Sequence, residues 1–312
     1  MSPVRTPYVT TGPYAPPTPT RTLTAVSADG ARLHVEVHGA EDAPAVVLAH
    51  GWTCSTAFWA AQIRALAGEH RVIAYDQRGH GRTPAHAVCS TDALADDLEA
   101  VLAATLAPDE KAVLAGHSMG GMTLMAAARR PGLREHAAAV LLCSTGSSRL
   151  VAESLVVPLR AGRVRTRLTH AVLGSKAPLG PVTPLGKKVL RYATMGPGAA
   201  PDRIEACARI VHGCGRGPRY AWSQVLSGLE LDGLVRELRV PTAVIAGTAD
   251  RLTPPVHARR LAAALPVCAG LTELTGVGHM TPVEAPEVVT ERIRELVRTY
   301  VTVTATVEED LV

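Results

Sequence analysis

Hydrophobic positions follow two rhythms along the chain. Five short runs are continuously apolar rather than alternating: Ala43–His50 (APAVVLAH), Arg71–Asp76 (RVIAYD), Ala112–Ser118 (AVLAGHS), Ala138–Ser144 (AAVLLCS) and Thr242–Asp250 (TAVIAGTAD). Continuous apolar runs of this length belong to strands covered on both faces. Between them, Ser55–Gly68, Thr91–Leu106, Met119–Arg130, Pro255–Leu265 and Val283–Tyr300 read as helices. Strand alternating with helix predicts a parallel sheet with right-handed crossovers, and so the α/β class. Arg21–Gly39 departs from this pattern. Two alternating segments flank Asp29-Gly30, which predicts an antiparallel hairpin opening the sheet.

The alternation fails over residues 147–225, where helical spacing is interrupted by Pro158, Gly174, Pro178, Pro181, Pro184 and Pro197 and no strand run occurs. The stretch is too long for a loop and predicts a helical lobe inserted between two parts of a core, residues 21–146 and 226–300. The first twenty residues hold six prolines and are expected to form a flexible arm, with a strap across the domain surface as the alternative. Residues 301–312 are expected to be a frayed acidic tail.

Composition sharpens this picture. With 312 residues, 47% of them hydrophobic and 19% charged, the chain can bury a large core. Six cysteines occur without C-x-x-C or zinc-site spacing, which points to a reducing compartment and to no metal. No apolar run has the length of a signal peptide or of a membrane span, so a soluble, cytoplasmic protein is expected. The net charge of +4 is uneven. Residues 147–225 carry 13 Lys/Arg against Glu153, Asp202 and Glu205, a balance of +10 that leaves −6 for the remainder. Within that lobe Arg160, Arg163 and Arg167 share one helical face and Leu159, Leu168 and Val172 another. A solvated outer face over a packed inner face is expected there, the alternative being weak contact with anionic lipid or a carrier protein. No nucleic-acid partner is expected.

Candidate chemistry centres on Gly116-His117-Ser118-Met119-Gly120, a G-x-S-x-G placed after a strand and before a helix. The glycines permit a cramped turn that lifts the Ser118 hydroxyl above the sheet edge. A serine hydroxyl needs a base and an orienting acid. Ligands of open sheets bind beyond the carboxyl ends of strands, where Asp250 follows its run and His279 sits in the loop GVGHMTP. The order Ser118, Asp250, His279 is the one expected on such a sheet. Asp76 ends a strand too and is the rival acid. Backbone N–H groups of Met119 and Trp52 are the candidate donors to an oxyanion. His50, His80 and His117 are expected to be scaffolding, with His117 pointing away from the face of Ser118. Cys54 is expected to be a packed thiol, and GCGRGPRY (Gly213–Tyr220) a flexible loop rather than a phosphate cradle.

The motifs HGW, DQRGHGRT, GHSMGG, GTADRLTPP and GVGHMTPVEAPE, spread from Arg21 to Tyr300, resemble the α/β-hydrolase family. The resemblance implies a mostly parallel eight-stranded sheet with a helical cap inserted after the sixth strand. It implies Ser118 as nucleophile, His279 as base, Asp250 as acid and Trp52 and Met119 as oxyanion donors. Members with an Asp nucleophile are excluded by Ser118. The expected activity is cofactor-free hydrolysis of a carboxylic ester through an acyl-enzyme, with Trp52, Met119 and Met280 beside an apolar acyl substrate. The alternatives are a type II thioesterase, a haloperoxidase-like perhydrolase and a receptor-like ligand-binding member of the fold.

Overall fold

In chain order the strands are β1 (Arg21–Val26), β2 (Arg32–His38), β3 (Ala45–Ala49), β4 (Arg71–Tyr75), β5 (Ala112–His117), β6 (Ala137–Cys143), β7 (Thr242–Gly247) and β8 (Cys268–Leu274). The computed structural model, which describes residues 9–301, joins them into one sheet in the order β1-β2-β4-β3-β5-β6-β7-β8. β1, β2 and β4 pair antiparallel and every other pair is parallel. The opening hairpin turns at Gly30 with φ +85°, a conformation that glycine adopts without a Cβ penalty. The central strands divide their side chains between two cores. On β3, Ala45, Val47 and Ala49 enter one cluster while Val46 and Leu48 enter the other; on β5, Ala112 and Leu114 oppose Val113 and Ala115. A strand with a core on each side needs an apolar residue at every position, which is why these runs do not alternate.

The helices follow as α1 (Ala60–Leu66), α2 (Thr91–Thr105), α3 (Met119–Ala126), α4 (Pro131–His136), α5 (Leu150–Glu153), α6 (Arg163–Leu173), α7 (Pro184–Thr194), α8 (Pro201–Gly213), α9 (Arg216–Ser227), α10 (Asp232–Val235), α11 (Pro255–Ala264), α12 (Thr281–Glu284) and α13 (Pro286–Tyr300). From β3 the chain steps to β4 on one side and later to β5 on the other, so the strand order reverses at β3. Crevices at the carboxyl ends of strands at such a reversal are where open sheets bind ligands. Among the described residues no helix is long and apolar enough to cross a membrane.

Helices α5 to α9 lie between β6 and β7. The chain leaves and rejoins the core at one neck: Ser148 bridges Glu230, Leu231 N–H donates to the Ser147 carbonyl (2.7 Å), and the Ser147 and Ser148 hydroxyls donate to Asp232 (2.5 and 3.0 Å). The insertion thus runs past Val225, through the end of α9. Its expected inner face is corrected. Leu159, Leu168 and Val172 are 48%, 44% and 56% exposed, and the buried positions of α6 are Arg165 and Thr169. Arg165 turns inward because its guanidinium reaches the Ala152 carbonyl (2.8 Å) on the neighbouring α5.

The flexible arm expected over residues 1–20 is also corrected where it is described. Tyr14 and Ala15 are buried, the Tyr14 hydroxyl donates to the Val283 carbonyl (3.1 Å), and Arg64 donates to the Ala15 carbonyl (2.8 Å). Residues 9–20 therefore lie as a strap: an aromatic ring and two hydrogen bonds outweigh the freedom of a proline-rich segment. Residues 1–8 and the expected acidic tail from 302 to 312 lie outside the described residues.

Two buried histidines brace the loops after β3 and β4. His50 Nδ1 donates to the Gly51 carbonyl (2.8 Å), leaving Nε2 to accept from Gln77 N–H (3.0 Å). His80 Nδ1 donates to the Arg78 carbonyl (3.1 Å), and Nε2 accepts from Thr53 N–H (3.1 Å). Each ring is a neutral donor and acceptor at once. Burial, with His80 nearby, pulls His50 down to about 3, and burial pulls His80 down to about 4. An unfolded histidine titrates at about 6.5, so between that value and the folded one the unfolded chain holds the extra proton. Stability from each ring is complete above about 6.5 and declines with acid, by up to about 1.4 kcal/mol per pH unit. His80→Gln should therefore reduce the fall in melting temperature between pH 7 and pH 5 relative to the wild type. Thermal melts of both proteins at the two pH values check this, and equal falls would contradict it.

Candidate active site

β5 passes into α3 through Ser118, whose φ of +51° and ψ of −115° are unusual for a residue with a side chain. A conformation of this kind costs on the order of 1–3 kcal/mol and persists only where surroundings dictate it. They do so by close approach. A Cβ at Gly116 would stand 2.5 Å from the carbonyl of Gly120, and one at Gly120 would overlap the carbonyl oxygen of Ala49 at the end of β3. The serine's own backbone is tied down as well: its N–H donates to the Cys143 carbonyl (2.9 Å), and its carbonyl accepts from the Thr145 hydroxyl (2.8 Å).

Asp250, just after β7, and His279, in the loop between β8 and α12, meet with His279 Nδ1 2.8 Å from Asp250 Oδ2. Both are nearly inaccessible. The carboxylate can only accept, so Nδ1 carries the proton and Nε2 is left as the basic nitrogen. Asp250 is further held by the N–H groups of Leu252 (2.8 Å) and Thr253 (2.9 Å) and by the Thr253 hydroxyl (2.8 Å), which also lies 3.2 Å from His279 Nδ1. Asp76 is engaged elsewhere. Its oxygens accept from Thr56 N–H (2.7 Å) and Arg82 N–H (2.8 Å), bracing two loops, and burial pushes it up to about 6.

The His279 loop is fixed by Glu284, by Thr194 and by His117. Glu284, buried within α12, accepts from Gly278 N–H (3.1 Å), Met280 N–H (3.2 Å) and Gly196 N–H (2.7 Å). Burial raises its carboxyl despite these bonds. His279 N–H donates to the Thr194 carbonyl (2.8 Å) at the end of α7. His117 Nε2 donates to the His279 carbonyl (2.9 Å), and the two rings lie 4.9 Å apart. His117 thus supports the base loop from below, and it also reaches the wall of the cavity described next, rather than pointing away from it as expected. Thr253 had a readable cue in Asp-x-x-Thr before Pro254, since an Asp that accepts from residues two and three ahead is turn chemistry. Glu284 had none, and His117, expected as scaffolding, has that role here.

Facing Ser118 across the reversal of the sheet is the loop His50-Gly51-Trp52-Thr53. An added Cβ on Gly51 would lie 3.2 Å from the Ser118 Cβ, so glycine lets the two loops touch. Thr53 holds φ +64° and its hydroxyl donates to the Trp52 carbonyl (2.6 Å). Met119 opens α3, and its N–H is among those a helix cannot use internally. Met119 thus directly follows the serine, and Trp52 lines the same cavity as the serine from a separate element.

Ser118, His279, Trp52 and Met280 line one cavity of about 390 Å³, together with Met122, Thr253 and residues of α6, α7 and α9. Among the described residues no hydrogen bond joins the Ser118 hydroxyl to His279. Met119 is a correction. Its side chain is wholly buried in the core and does not reach the cavity, because Ser118 occupies the position that faces it; Met122, one turn later, lines the wall instead. Cys54 is buried, and burial raises its thiol far above the usual range. The segment expected as a flexible loop, 213–220, is largely the start of α9. Among the described residues no group of three His, Cys, Asp or Glu side chains is placed to hold a metal ion.

Comparison with known proteins gives likenesses that differ in extent. A Rhizobium rhizogenes protein named as a carbamate hydrolase, RutD, is 28% identical over 274 residues, covering 85% of this chain and 98% of its own. The polyketide synthase ThaQ of Burkholderia thailandensis is 33% identical over 245 residues, 76% of this chain but 11% of the synthase. A thermophilic esterase structure from Thermogutta terrifontis superposes with a TM-score of 0.71 at 25% identity, over 91% of this chain and 100% of that one. The model of the alpha/beta hydrolase family matches residues 46–292, a span running from β3 into α13, and the chain belongs to that family.

Proposed function

We propose that this member of the alpha/beta hydrolase family is a serine hydrolase that cleaves carboxylic esters through an acyl-enzyme on Ser118. The observation that carries the reading is the buried Asp250–His279 pair, with Nδ1 occupied and no partner on Nε2 among the described residues, whose histidine shares a cavity wall with a serine in a forced backbone conformation. Nε2 of His279 would take the Ser118 proton as the oxygen attacks the acyl carbon; serine–imidazole contacts that are loose in the free enzyme tighten when substrate binds. Charge developing on the carbonyl oxygen would fall between the N–H groups of Trp52 and Met119, each such donor contributing roughly 2.7–4 kcal/mol. His279 then returns the proton to the leaving alcohol, and a water activated by the same nitrogen releases the acid. Asp250 stabilises the imidazolium formed in both half-reactions. The apolar walls supplied by Met122, Val172 and Leu190 would hold the acyl part, with the helical insertion acting as a cap.

A thioesterase reading has one specific support, the match to a segment of a polyketide synthase. It uses the same residues, and turnover of matched esters and thioesters separates the two. The test of the chemistry itself is direct. A fluorophosphonate should leave its adduct on Ser118, and Ser118→Ala should abolish both labelling and ester turnover; an adduct elsewhere would overturn the assignment. Asp250→Asn should lower kcat by about ten-thousandfold through the wrong imidazole tautomer. Kinetics of Asp76→Asn alongside it discriminate the rival acid: the larger kcat loss is expected at Asp250, and the reverse ranking would make Asp76 the acid. Thr253→Val removes a hydroxyl that shares the Asp250 oxygen, and a kcat loss of about tenfold is expected, in keeping with one neutral hydrogen bond.

A further inference from the structure

The cavity is apolar over most of its wall, and among its polar side chains one carries a permanent charge. Arg219 is the single Arg, Lys, Asp or Glu among the residues that line it, and it is only 6% exposed. A guanidinium so enclosed ordinarily has a carboxylate partner. Here its bonds run from one nitrogen, Nη2, to the backbone carbonyls of Ser175 (3.2 Å) and Ala177, and among the described residues no carboxylate lies within ion-pair distance. Arg165, also buried in the insertion, has its Nε sealed in protein without a partner; the Nε and Nη1 of Arg219 are not sealed in this way. Among the described residues these two nitrogens have no hydrogen-bond partner, and the side chain that carries them belongs to a residue lining the cavity.

The arginine is tied to the reacting end of that cavity. Its own carbonyl accepts from the indole Nε1 of Trp52 (3.1 Å), the residue whose N–H is proposed to receive the oxyanion. Residues 147–225, which include Arg219, carry a balance of +10, a field that draws anions toward the cavity. A planar fork with free donors, in an apolar site without competing carboxylates, matches a carboxylate in charge and in shape.

Resting on the proposed ester hydrolysis, we infer that Arg219 binds a free carboxylate carried by the substrate, so that the preferred substrates are acidic: half-esters of dicarboxylic acids, or lactones bearing a carboxylate. Arg219 is on this account a specificity-determining residue, and Ser118 chemistry does not require it. A bland role is the competing explanation, in which Arg219 serves only to clamp the chain between Ser175 and Ala177.

The experiment compares kcat/KM for monomethyl succinate, glutarate and adipate with kcat/KM for the corresponding methyl ester carboxamides, which keep the shape and lose the charge. The wild type should favour the acid over its amide by about tenfold or more at one chain length at least. Arg219→Gln should bring that ratio to about one, with Arg219→Lys intermediate. A wild-type ratio near one at every length, or a ratio unchanged in Arg219→Gln, would overturn the inference. A clamp alone predicts that the variant lowers both substrates in proportion and leaves the ratio intact. Should the variants fold poorly, the wild type still decides the matter: free succinate, glutarate or adipate should inhibit neutral-ester hydrolysis competitively, and less so at high salt, and absence of inhibition by all three counts against the site. Efficient Ser118-dependent turnover of neutral esters with no acid preference would end this inference and leave the ester-hydrolase reading standing, whereas ester turnover that survives Ser118→Ala would remove that reading itself.

Discussion

The geometry of this site depends on how closely α3 can approach the ends of β3 and β5. Ser118 can hold φ +51° only because no side chain at Gly116 or Gly120 stands between the helix start and the strands. Any Cβ at either position would meet backbone, which cannot swing aside as a side chain can. The constraint has two chemical consequences. It presents the hydroxyl to the cavity rather than to the core, and it puts the first N–H of α3 beside that hydroxyl, at the end of a helix where partial positive charge accumulates. The strain is sustained by what lies on either side. The two apolar clusters on the faces of the sheet fix the strands, and the bonds to Cys143 and Thr145 fix the turn.

Around the elbow the polar groups divide into those that hold loops and those that face the cavity. His50, His80 and Asp76 hold the loops after β3 and β4, Glu284 and His117 hold the loop of His279, and all five are almost completely buried. Burial makes them effective. In a low-dielectric interior each hydrogen bond is stronger and each unpaired group costlier, so a loop fastened by such groups has few alternative positions. The two bracing histidines must stay neutral to donate from one nitrogen and accept at the other, and burial favours that state. Asp250 and His279 use the same physics toward a different end: a carboxylate beside Nδ1 chooses the tautomer and leaves Nε2 as the basic nitrogen.

Much of this was legible in the letters because it rests on local pattern. The continuous apolar runs became the buried strands, Asp29-Gly30 became the hairpin, and the glycine-bracketed serine marked the sharp turn. Asp250 and His279 were legible by position, each following a strand at the carboxyl edge of the sheet. What the sequence concealed depends on the direction of a side chain or on contact between distant segments. Met119 and Met122 are equivalent as letters, and only the path of α3 sends one to the core and the other to the cavity. Arg165 looks like a surface residue until α5 supplies a carbonyl, and Tyr14 looks like part of a loose tail until Val283 does. Glu284 gains its importance from amides at Gly196, Gly278 and Met280, which no local spacing connects.

These long-range bonds also bear on how the insertion between β6 and β7 relates to the catalytic loops. It is joined to the core at more than its neck. Thr194 holds the N–H of His279, Gly196 shares the carboxylate of Glu284, Arg219 accepts from Trp52, and the Trp222 indole donates to the Arg78 carbonyl in the turn after β4 (3.0 Å). In the Asp250 turn, the Arg251 carbonyl accepts from Leu155 N–H (2.7 Å) and the Ser154 hydroxyl (3.0 Å), so each loop that carries a proposed catalytic group other than the serine turn is bonded directly to the insertion. A lobe that swung away as a rigid lid would have to break the bonds to the His279 and Trp52 loops and loosen the base and one oxyanion donor together. The elements that choose the substrate are thus the same ones that keep those loops in place, and a displacement of the α7 or α9 backbone should be felt by chemistry as well as by specificity, whereas a side-chain change at Arg219 leaves the carbonyl bonded to Trp52. The serine turn, whose backbone is bonded to Cys143 of β6 and to Thr145 and which among the described residues has no hydrogen bond to the insertion, is the part of the site that such a displacement would leave where it is.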